Sequence, residues 1–219
     1  MERGMKINIK WLLRLVGSSI GRKFLMAVTG LGLCGFVLVH LAGNLLLFKG
    51  QAAYDHYAGL LLSNPLITYA ELGLAAMFLV HVTTGIWVRW EDWKCRPVGY
   101  VKRKWSSGGR TPGSATMLYT AAALLVFLAY HLRVFRFVDH SEGFYMMVTG
   151  AFRHPEVAAF YVLVSVTIVL HLSHGFQSAF QTLGISHPKY APLIKFAGLA
   201  VAAAMIGFAT IPLWFLLVL

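Results

Sequence analysis

Five runs of mostly apolar residues dominate this sequence, and each is long enough to cross a lipid bilayer as a helix. They cover residues 24–48, 65–90, 115–137, 156–177 and 192–219. The hydrocarbon core of a bilayer requires about 20 such residues in an α-helix. The runs therefore predict an all-α, integral membrane bundle of five transmembrane helices, which forms a single domain over residues 1–219.

Composition favours a membrane protein over a soluble one. Hydrophobic residues make up 58% of the chain and charged residues 12%, whereas ordinary soluble domains are about 25% charged. A soluble domain of this size cannot bury so much apolar surface and still present a polar exterior. The two cysteines, Cys34 and Cys95, are far apart and form no C-x-x-C or C-x-x-C-H motif. This argues against a disulfide framework, a cysteine zinc site and covalently attached haem.

The basic residues are distributed unevenly over the two sides that five spans define. Fifteen of the 19 Lys and Arg residues lie before the first span, between the second and third, or between the fourth and fifth. The other side has only Lys49, Arg133, Arg136 and Arg153. Because cytoplasmic loops carry the excess of Lys and Arg, the pattern predicts a cytoplasmic N-terminus and an external C-terminus. The net charge of +11 is then a topological signal that requires no nucleic-acid partner.

Segments outside the spans have distinct predicted roles. Residues 7–20 are expected to lie at the cytoplasmic interface as an amphipathic segment, with a disordered basic tail as the alternative. Residues 91–113 are expected to form the largest cytoplasmic loop. This loop sets the orientation in the membrane, docks a cytoplasmic partner, or does both. Residues 133–155 mix charges with aromatic residues and are expected to lie flat on the outer surface as a lid. Pro212 is expected to bend the last span, because proline removes a backbone hydrogen bond.

Four of the predicted spans each carry one deep histidine. These are His40, His81, His131 and His171. Ionisable residues inside spans are costly and usually functional. His40 and His131 lie about 24 Å along spans that run outward, which places them near the outer face. His81 and His171 lie about as far along spans that run inward, which places them near the cytoplasm. The histidines therefore form an outer pair and an inner pair. For any one of them alone, the alternative is a structural histidine bonded to a neighbouring helix.

Paired imidazoles from facing helices are typical axial ligands of a haem iron, and a haem with two such ligands suits electron transfer. Gly43, Gly85 and Gly175 each follow one of the histidines by three or four residues, which places them on the same helix face and leaves room for a flat macrocycle. Packing between small residues is the alternative. His174 competes with His171, which is favoured by the glycine four residues later. The sequence thus predicts two noncovalent b haems at two depths.

Several stretches match the pattern of one family. The most specific is HLSHGFQSAFQTLGISHPKY at residues 171–190. SSIGRKFLMAVTG at 18–30, VHLAGNLLLF at 39–48 and the YDHYAGLLLSNPL loop at 54–66 add to it. Over nearly its whole length the chain resembles the five-helix, di-haem cytochrome b subunit of bacterial succinate dehydrogenase and fumarate reductase.

This resemblance implies that His40 and His131 hold a distal haem near the outside, and that His81 and His171 hold a proximal haem near the cytoplasm. It implies two cytoplasmic partners: a flavoprotein with covalent FAD, where succinate and fumarate interconvert, and an iron–sulfur subunit. The chain is then the anchor that passes electrons between the iron–sulfur subunit and menaquinone in the bacterial cytoplasmic membrane. The sequence has no Gly-rich nucleotide-binding motif. Nothing in this chain itself therefore suggests that it carries out the dicarboxylate chemistry.

Further polar residues are candidates for binding the haem propionates or the quinone. Those for the haem periphery are His174, Lys49, Arg133, Arg136 and Ser178. Those for the quinone are Glu71, Ser18, Ser19, Arg22 and Gln181. Basic side chains are favoured because interfacial carboxylates bind charge-assisted donors. Glu71 is the only carboxylate well inside a predicted span, and a structural acid is its alternative role. Candidates for a proton relay to the outside are Asp139, His140 and Glu142.

Two other functions remain open. One is the cytochrome b anchor of a hydrogenase or formate dehydrogenase. The stretch at 171–190 argues against this alternative. The other is a haem-free, proton-coupled transporter that uses the histidines and Glu71 as a relay. Helices broken in mid-membrane in two related halves would indicate the transporter. His56, His140, His154 and His187 fall in loops or at span ends, where a solvated or hydrogen-bonding role is expected.

Overall fold

A computed structural model describes residue 14, residues 16–96, residue 98 and residues 111–218. The structure is all-helical: 86% of the described residues are in helices, and no strand occurs among them. The predicted interfacial segment at 7–20 lies mostly outside these ranges, and so does most of the predicted loop at 91–113.

Five segments of the described chain are long and apolar enough to cross a membrane. They are Ser19–Lys49, Ile67–Cys95, Pro112–Arg136, Pro155–Thr182 and Ala191–Val218. Each begins and ends within five residues of a run predicted from hydropathy. The predicted all-α fold with five candidate spans is therefore confirmed.

Eight α-helices build the described part of the chain. In order they are α1 (Ser19–Asn44), α2 (Gln51–Ser63), α3 (Ile67–Cys95), α4 (Pro112–His131), α5 (Phe144–Phe152), α6 (Pro155–Thr182), α7 (Ala191–Ala204) and α8 (Gly207–Val218). A 3-10 turn (Leu45–Lys49) continues α1, and a π-helical turn (Leu132–Arg136) continues α4. We call the end of the bundle at which α1 begins the near end, and the opposite end the far end.

Local sequence signals explain where two of the spans begin. Ser18 is the N-cap of α1, and its Oγ accepts a hydrogen bond from the amide of Gly21 at 3.0 Å. At the start of α4, Thr111 Oγ1 accepts from the amide of Ser114, and Ser114 Oγ accepts from the amide of Thr111. This reciprocal capping box satisfies two backbone donors that the first helical turn leaves unpaired.

The central helix of the bundle is α6. It packs against α1, α4, α7 and α8, and α1 also packs against α3. The pairs α1–α4 and α3–α6 are not among the closely packed pairs of described helices. A buried apolar cluster closes the far end, where the 3-10 turn, α5 and α8 meet. Its buried members are Leu47, Val148, Phe152, Ile211 and Phe215.

The connection after the first span differs from the sequence expectation. Residues 54–66 were expected to form a loop, but most of them belong to α2 (Gln51–Ser63). Gly50 has a φ of +90°, which lets the chain turn sharply after the 3-10 turn. Such a backbone conformation is readily available only to glycine. The residues that follow include several Ala and Leu, which are strong helix formers.

The segment at 133–155 contains the π-helical turn and α5, and α5 buries Val148, Thr149 and Phe152. It therefore packs onto the far end of the bundle, and its position relative to a membrane surface stays a prediction. A bend was expected at Pro212, but the fifth span is interrupted earlier, between the end of α7 at Ala204 and the start of α8 at Gly207. The carbonyl four residues before Pro212 belongs to Phe208 within α8, so the clash of the proline ring does not explain this interruption.

Candidate functional site

Two histidines face each other towards the far end of the bundle. The ring centroids of His40 on α1 and His131 on α4 are 5.8 Å apart, and the ring planes are nearly perpendicular, at 89°. Their helices do not pack closely against each other. The two side chains thus approach each other from helices whose backbones stay apart. His131 is also the last residue of α4 before the π-helical turn, and π-bulges occur frequently at functional sites.

Neighbouring polar side chains orient this far pair. Tyr161 Oη lies 3.1 Å from His131 Nδ1. The Asn44 amide donates to the His40 carbonyl at 2.8 Å and makes a longer contact of 3.4 Å with His40 Nε2. Asn44 Oδ1 in turn accepts from Tyr54 Oη at 3.3 Å. Burial, with a smaller effect of nearby acidic groups, raises the pKa of Tyr54 to about 12, which keeps it a hydroxyl donor at neutral pH.

The second pair lies nearer the start of α1. His81 on α3 and His171 on α6 lie on helices that both pack against α1. The Nδ1 atom of His81 is 3.1 Å from the Met26 carbonyl and 3.4 Å from Thr29 Oγ1. The Nδ1 atom of His171 is 3.3 Å from Thr120 Oγ1. The structure thus places His40 beside His131, whereas the pairing of His81 with His171 stays a prediction from their depths.

The two pairs define two layers of the bundle. The near layer consists of Thr29, His81, Thr120 and His171, and the far layer of His40, Asn44, His131 and Tyr161. Thr29 and His40 are 11 residues apart on one continuous helix, which corresponds to three turns and about 16 Å along the axis.

The same spacing recurs in two halves of the chain. Thr120 precedes His131 on α4 by 11 residues, as Thr29 precedes His40 on α1. The hydrogen-bonded histidine follows 52 residues after Thr29 and 51 residues after Thr120. The packed pairs α1–α3 and α4–α6 are thus counterparts. Neither threonine was predicted from the sequence, and this repeated spacing is the signal that would have found both.

The glycines that were predicted to pack against a haem differ in their surroundings. A Cβ atom on Gly43 would lie 2.5 Å from Tyr57 Oη, so the space beside this glycine is already filled by α2. A Cβ atom on Gly85 or on Gly175 would meet a single methionine atom, at 3.8 Å and 4.0 Å respectively. The immediate surroundings of Gly85 and Gly175 are thus open apart from these atoms, whereas Gly43 has a packing role within the protein.

Two of the predicted basic residues bind carboxylates of the chain itself. Arg136 in the π-helical turn donates to Glu71 Oε2 at 3.1 Å, with about half of each side chain exposed. Arg22 near the start of α1 forms an ion pair with Glu91 near the end of α3. Trp87 Nε1 donates to the same carboxylate at 3.2 Å, and the Arg22 guanidinium lies over the Trp87 ring.

The remaining candidates are spread over both ends. Lys49 and Arg133 are exposed at the far end, and Ser19 is exposed on the first turn of α1. His174 and Ser178 lie on the near half of α6, where a Cβ atom on Gly113 of α4 would come within 3.0 Å of His174. Gln181 lines a shallow pocket of about 60 Å³ between α6 and α7. That volume matches about two water molecules and is too small for a quinone ring.

The residues predicted to relay protons form a hydrogen-bonded turn at the far end. The hydroxyl and amide groups of Ser141 donate to the Asp139 carboxylate, and these bonds lower the pKa of Asp139. His140 Nε2 donates to the Phe135 carbonyl at 3.0 Å, and its ring lies against Phe144. Asp139 is therefore held in its ionised form, and His140 has a structural partner. Glu142 is exposed.

No family model, curated protein or solved structure matches this chain. Within the described ranges, no group of three or more His, Cys, Asp or Glu side chains is placed to hold a metal ion. Each predicted histidine pair would supply two imidazole nitrogens, and two donors are the number that an iron already held by a macrocycle accepts from a protein.

Proposed function

We propose that the chain is the membrane-anchor cytochrome b of a succinate:quinone oxidoreductase, a succinate dehydrogenase or fumarate reductase, and that it binds two b haems. The observation that carries this proposal is the facing pair of span histidines, His40 and His131, on helices that do not pack closely. The resemblance of residues 171–190 to the family directs the proposal to this enzyme class.

The donor sets fit a haem. The ring centroids of His40 and His131 are 5.8 Å apart, and these two imidazoles from separate helices would hold one haem. In His81, His131 and His171 the Nδ1 atom has a hydrogen-bond partner, which leaves Nε2 for a metal. At His40 the Asn44 amide makes only a 3.4 Å contact with Nε2 and bonds the His40 carbonyl at 2.8 Å, so Nε2 would be available to a metal.

In this proposal His81 and His171 hold the near haem, and His40 and His131 hold the far haem. A haem with both axial positions filled supplies reversible one-electron chemistry of its iron. The chain orients the ligands through Met26 and the other hydrogen-bond partners described above, and aromatic rings cover the far pair. The charge asymmetry of the loops supports a cytoplasmic near end, where the iron–sulfur and flavoprotein partners bind.

Quinone binding is assigned to the far end. Glu71 and Arg136 form a half-exposed polar pair there, next to the turn that follows His131. Two of the candidates at the near end are already engaged, since Ser18 caps α1 and Arg22 binds Glu91 and the Gly17 carbonyl. Menaquinone is the quinone that the family resemblance implies.

The transporter alternative has less support. Its sign is a pair of spans broken in corresponding places of two related halves. The helices α1, α3, α4 and α6 each run through the bundle, and the fifth span alone is interrupted among the described segments, between Ala204 and Gly207. A hydrogenase or formate dehydrogenase anchor is distinguished by the subunit that copurifies, which carries nickel or molybdenum instead of flavin.

Replacement of single histidines tests the proposal. His40→Gln or His131→Gln should remove the far haem and spare the near one, and His81→Gln or His171→Gln should do the opposite. Redox titration of the purified complex, followed by optical and EPR spectra, separates the two haems. His56→Gln, at an exposed position on α2, is the matched control and should retain both. Retention of both haems in all four span variants would overturn the assignment.

A further inference from the structure

We propose that Thr29 and Thr120 are positioning residues that hold His81 and His171 in the Nδ1–H tautomer and so leave Nε2 of each ring unprotonated. The consequence for a bound metal rests on the proposed function. The tautomer itself is a property of the chain alone, which allows the two to be tested separately.

The hydroxyl proton of Thr29 is committed to its own helix. Thr29 Oγ1 donates to the Leu25 carbonyl at 2.7 Å. A hydroxyl has only one proton to donate, so towards His81 Nδ1, at 3.4 Å, Thr29 acts as the acceptor. The Met26 carbonyl, 3.1 Å from the same nitrogen, can only accept. Both partners therefore require a proton on Nδ1 of His81.

The second threonine has the same arrangement. Thr120 Oγ1 donates to the carbonyls of Thr116 or Met117, at 3.1 Å and 3.0 Å. It therefore accepts from His171 Nδ1 at 3.3 Å. Thr120 is buried, with 5% of its surface exposed, and an unpaired polar group in such a place is costly.

The two histidines differ in how strongly their tautomers are held. His81 has two acceptors, Met26 and Thr29, whereas His171 has one among the described residues. Loss of the Thr120 hydroxyl should consequently change the tautomer of His171 more than loss of the Thr29 hydroxyl changes the tautomer of His81. This inequality follows from the geometry and would not arise if both threonines only filled space.

The recurrence of this arrangement in two halves of the chain supports a common role. Each threonine lies 11 residues before a far-layer histidine, and each contacts a near-layer histidine on the helix that packs against its own. A chance contact of a helix-bonded threonine has no reason to recur at matching positions in α1 and α4.

An acceptor at Nδ1–H makes an imidazole a stronger donor through Nε2. Stronger donation favours the oxidised metal and lowers its midpoint potential, since hydrogen bonding around the ligands is one of the factors that set haem potentials. The two threonines should therefore hold the potential of the near haem below the value it would have without them.

The test uses Val and Ser replacements in the full chain. Thr120→Val keeps the shape of the side chain and removes its hydroxyl, and Thr120→Ser retains the hydroxyl. Thr29→Val provides the second site. Thr116→Val is the control, because the Thr116 hydroxyl bonds only to backbone carbonyls one turn away on α4.

The first readout is ¹⁵N NMR of ring-labelled histidines in the haem-free chain, with His81→Gln and His171→Gln for assignment. We expect both rings as the Nδ1–H tautomer in the parent chain. Thr120→Val should shift His171 towards the Nε2–H form, and Thr29→Val should change His81 less. Unchanged tautomers in both Val variants would overturn the proposal, whether or not the chain binds haem.

The second readout is the midpoint potential of the near haem in the purified complex. Thr120→Val should raise it, Thr29→Val should raise it by a smaller amount, and Thr120→Ser and Thr116→Val should leave it close to the parent value. The far haem should not change. A larger shift from Thr29→Val, or an equal shift from Thr116→Val, contradicts the positioning role while leaving the haem proposal intact.

Discussion

Tyr161 makes two kinds of contact, one through its aromatic ring and one through its hydroxyl group. Its ring lies among the aromatic residues Phe127, Phe135 and Phe152, and its Oη is 3.1 Å from His131 Nδ1. Tyr161→Phe should retain the packing and lose one hydrogen bond, at a cost of about 1 kcal/mol in stability.

This variant should shift the midpoint potential of the far haem and leave the near haem unchanged, because only the far ligand loses a partner. Tyr130→Phe is the control, since the Tyr130 ring packs against Phe160 in the same aromatic group and forms no hydrogen bond to a histidine of the described part of the chain. Equal shifts of both haems in Tyr161→Phe would contradict a specific role for the hydroxyl.

Gly30 and Gly35 on α1 provide a matched pair beside the near layer. A Cβ atom on Gly30 would lie 3.0 Å from His81 Cε1 and 3.3 Å from its Nδ1, whereas nothing lies within 4 Å of a Cβ atom on Gly35. Gly30→Ala should displace the His81 ring and change the optical and EPR spectra of the near haem.

Gly35→Ala should leave both spectra unchanged and stabilise the helix by up to about 1 kcal/mol, because alanine is the better helix former. Thermal unfolding and haem spectra of the two variants provide the comparison. Identical behaviour of the two variants would count against close packing between Gly30 and His81.

Individual residues differed in how well the sequence revealed them. The four span histidines were evident because an ionisable group in an apolar run is costly. Thr29 and Thr120 were not evident, because a threonine hydroxyl in a helix commonly bonds to a backbone carbonyl of the same helix. A threonine in an apolar run therefore has no free-energy cost that would indicate a function. The contact of Gly43 with Tyr57 depends on the path by which α2 returns to α1, and no spacing within either helix encodes that path.

At the level of helices, the spans were predictable and their connections were not. Hydropathy accumulates over about 20 residues and depends little on neighbours, so each of the five spans was located to within five residues. The helices α2 and α5 are short, and their formation depends on the turns at Gly50 and Gly143 and on contacts with distant residues.

One such distant contact is testable at α5. The amide of Tyr145 donates to Asp55 Oδ1 of α2 at 2.8 Å, and Gly143, with a φ of +91°, leaves room for that carboxylate. Asp55 thus caps α5 across 90 residues of sequence. Asp55→Ala should destabilise α5 by about 1 kcal/mol, as loss of an N-cap does.

Hydrogen exchange of residues 144–152 measures this effect. Exchange should be fastest in Asp55→Ala and intermediate in Asp55→Asn, which keeps the acceptor oxygen but loses the favourable charge at the helix N-terminus. Equal protection of α5 in the parent chain and in Asp55→Ala would show that the cap contributes nothing.

For the whole molecule, the uneven charge of the loops predicts which end faces the cytoplasm. Cys95 at the near end is exposed, and Cys34 within α1 is buried, so Cys95 serves as a natural reporter. A membrane-impermeant maleimide should label it in inside-out vesicles and not in intact spheroplasts. Lys49→Cys in a Cys95→Ser background should show the opposite pattern, and labelling of Cys95 in intact spheroplasts would invert the orientation.

In the bundle as a whole, α6 packs against α1 of the other half of the chain and contributes to both layers through Tyr161 and His171. The near and far layers lie about 16 Å apart along α1. That arrangement is suited to two redox groups at different depths of one membrane protein.

The central claim is that the four paired histidines bind two haems. The most direct test is a haem determination on the purified full-length chain, with pyridine haemochrome quantification and reduced-minus-oxidised spectra. The predicted result is two noncovalent b haems per chain, with optical and EPR spectra typical of low-spin iron with two imidazole ligands. A colourless chain, expressed in cells that supply haem, would contradict the account.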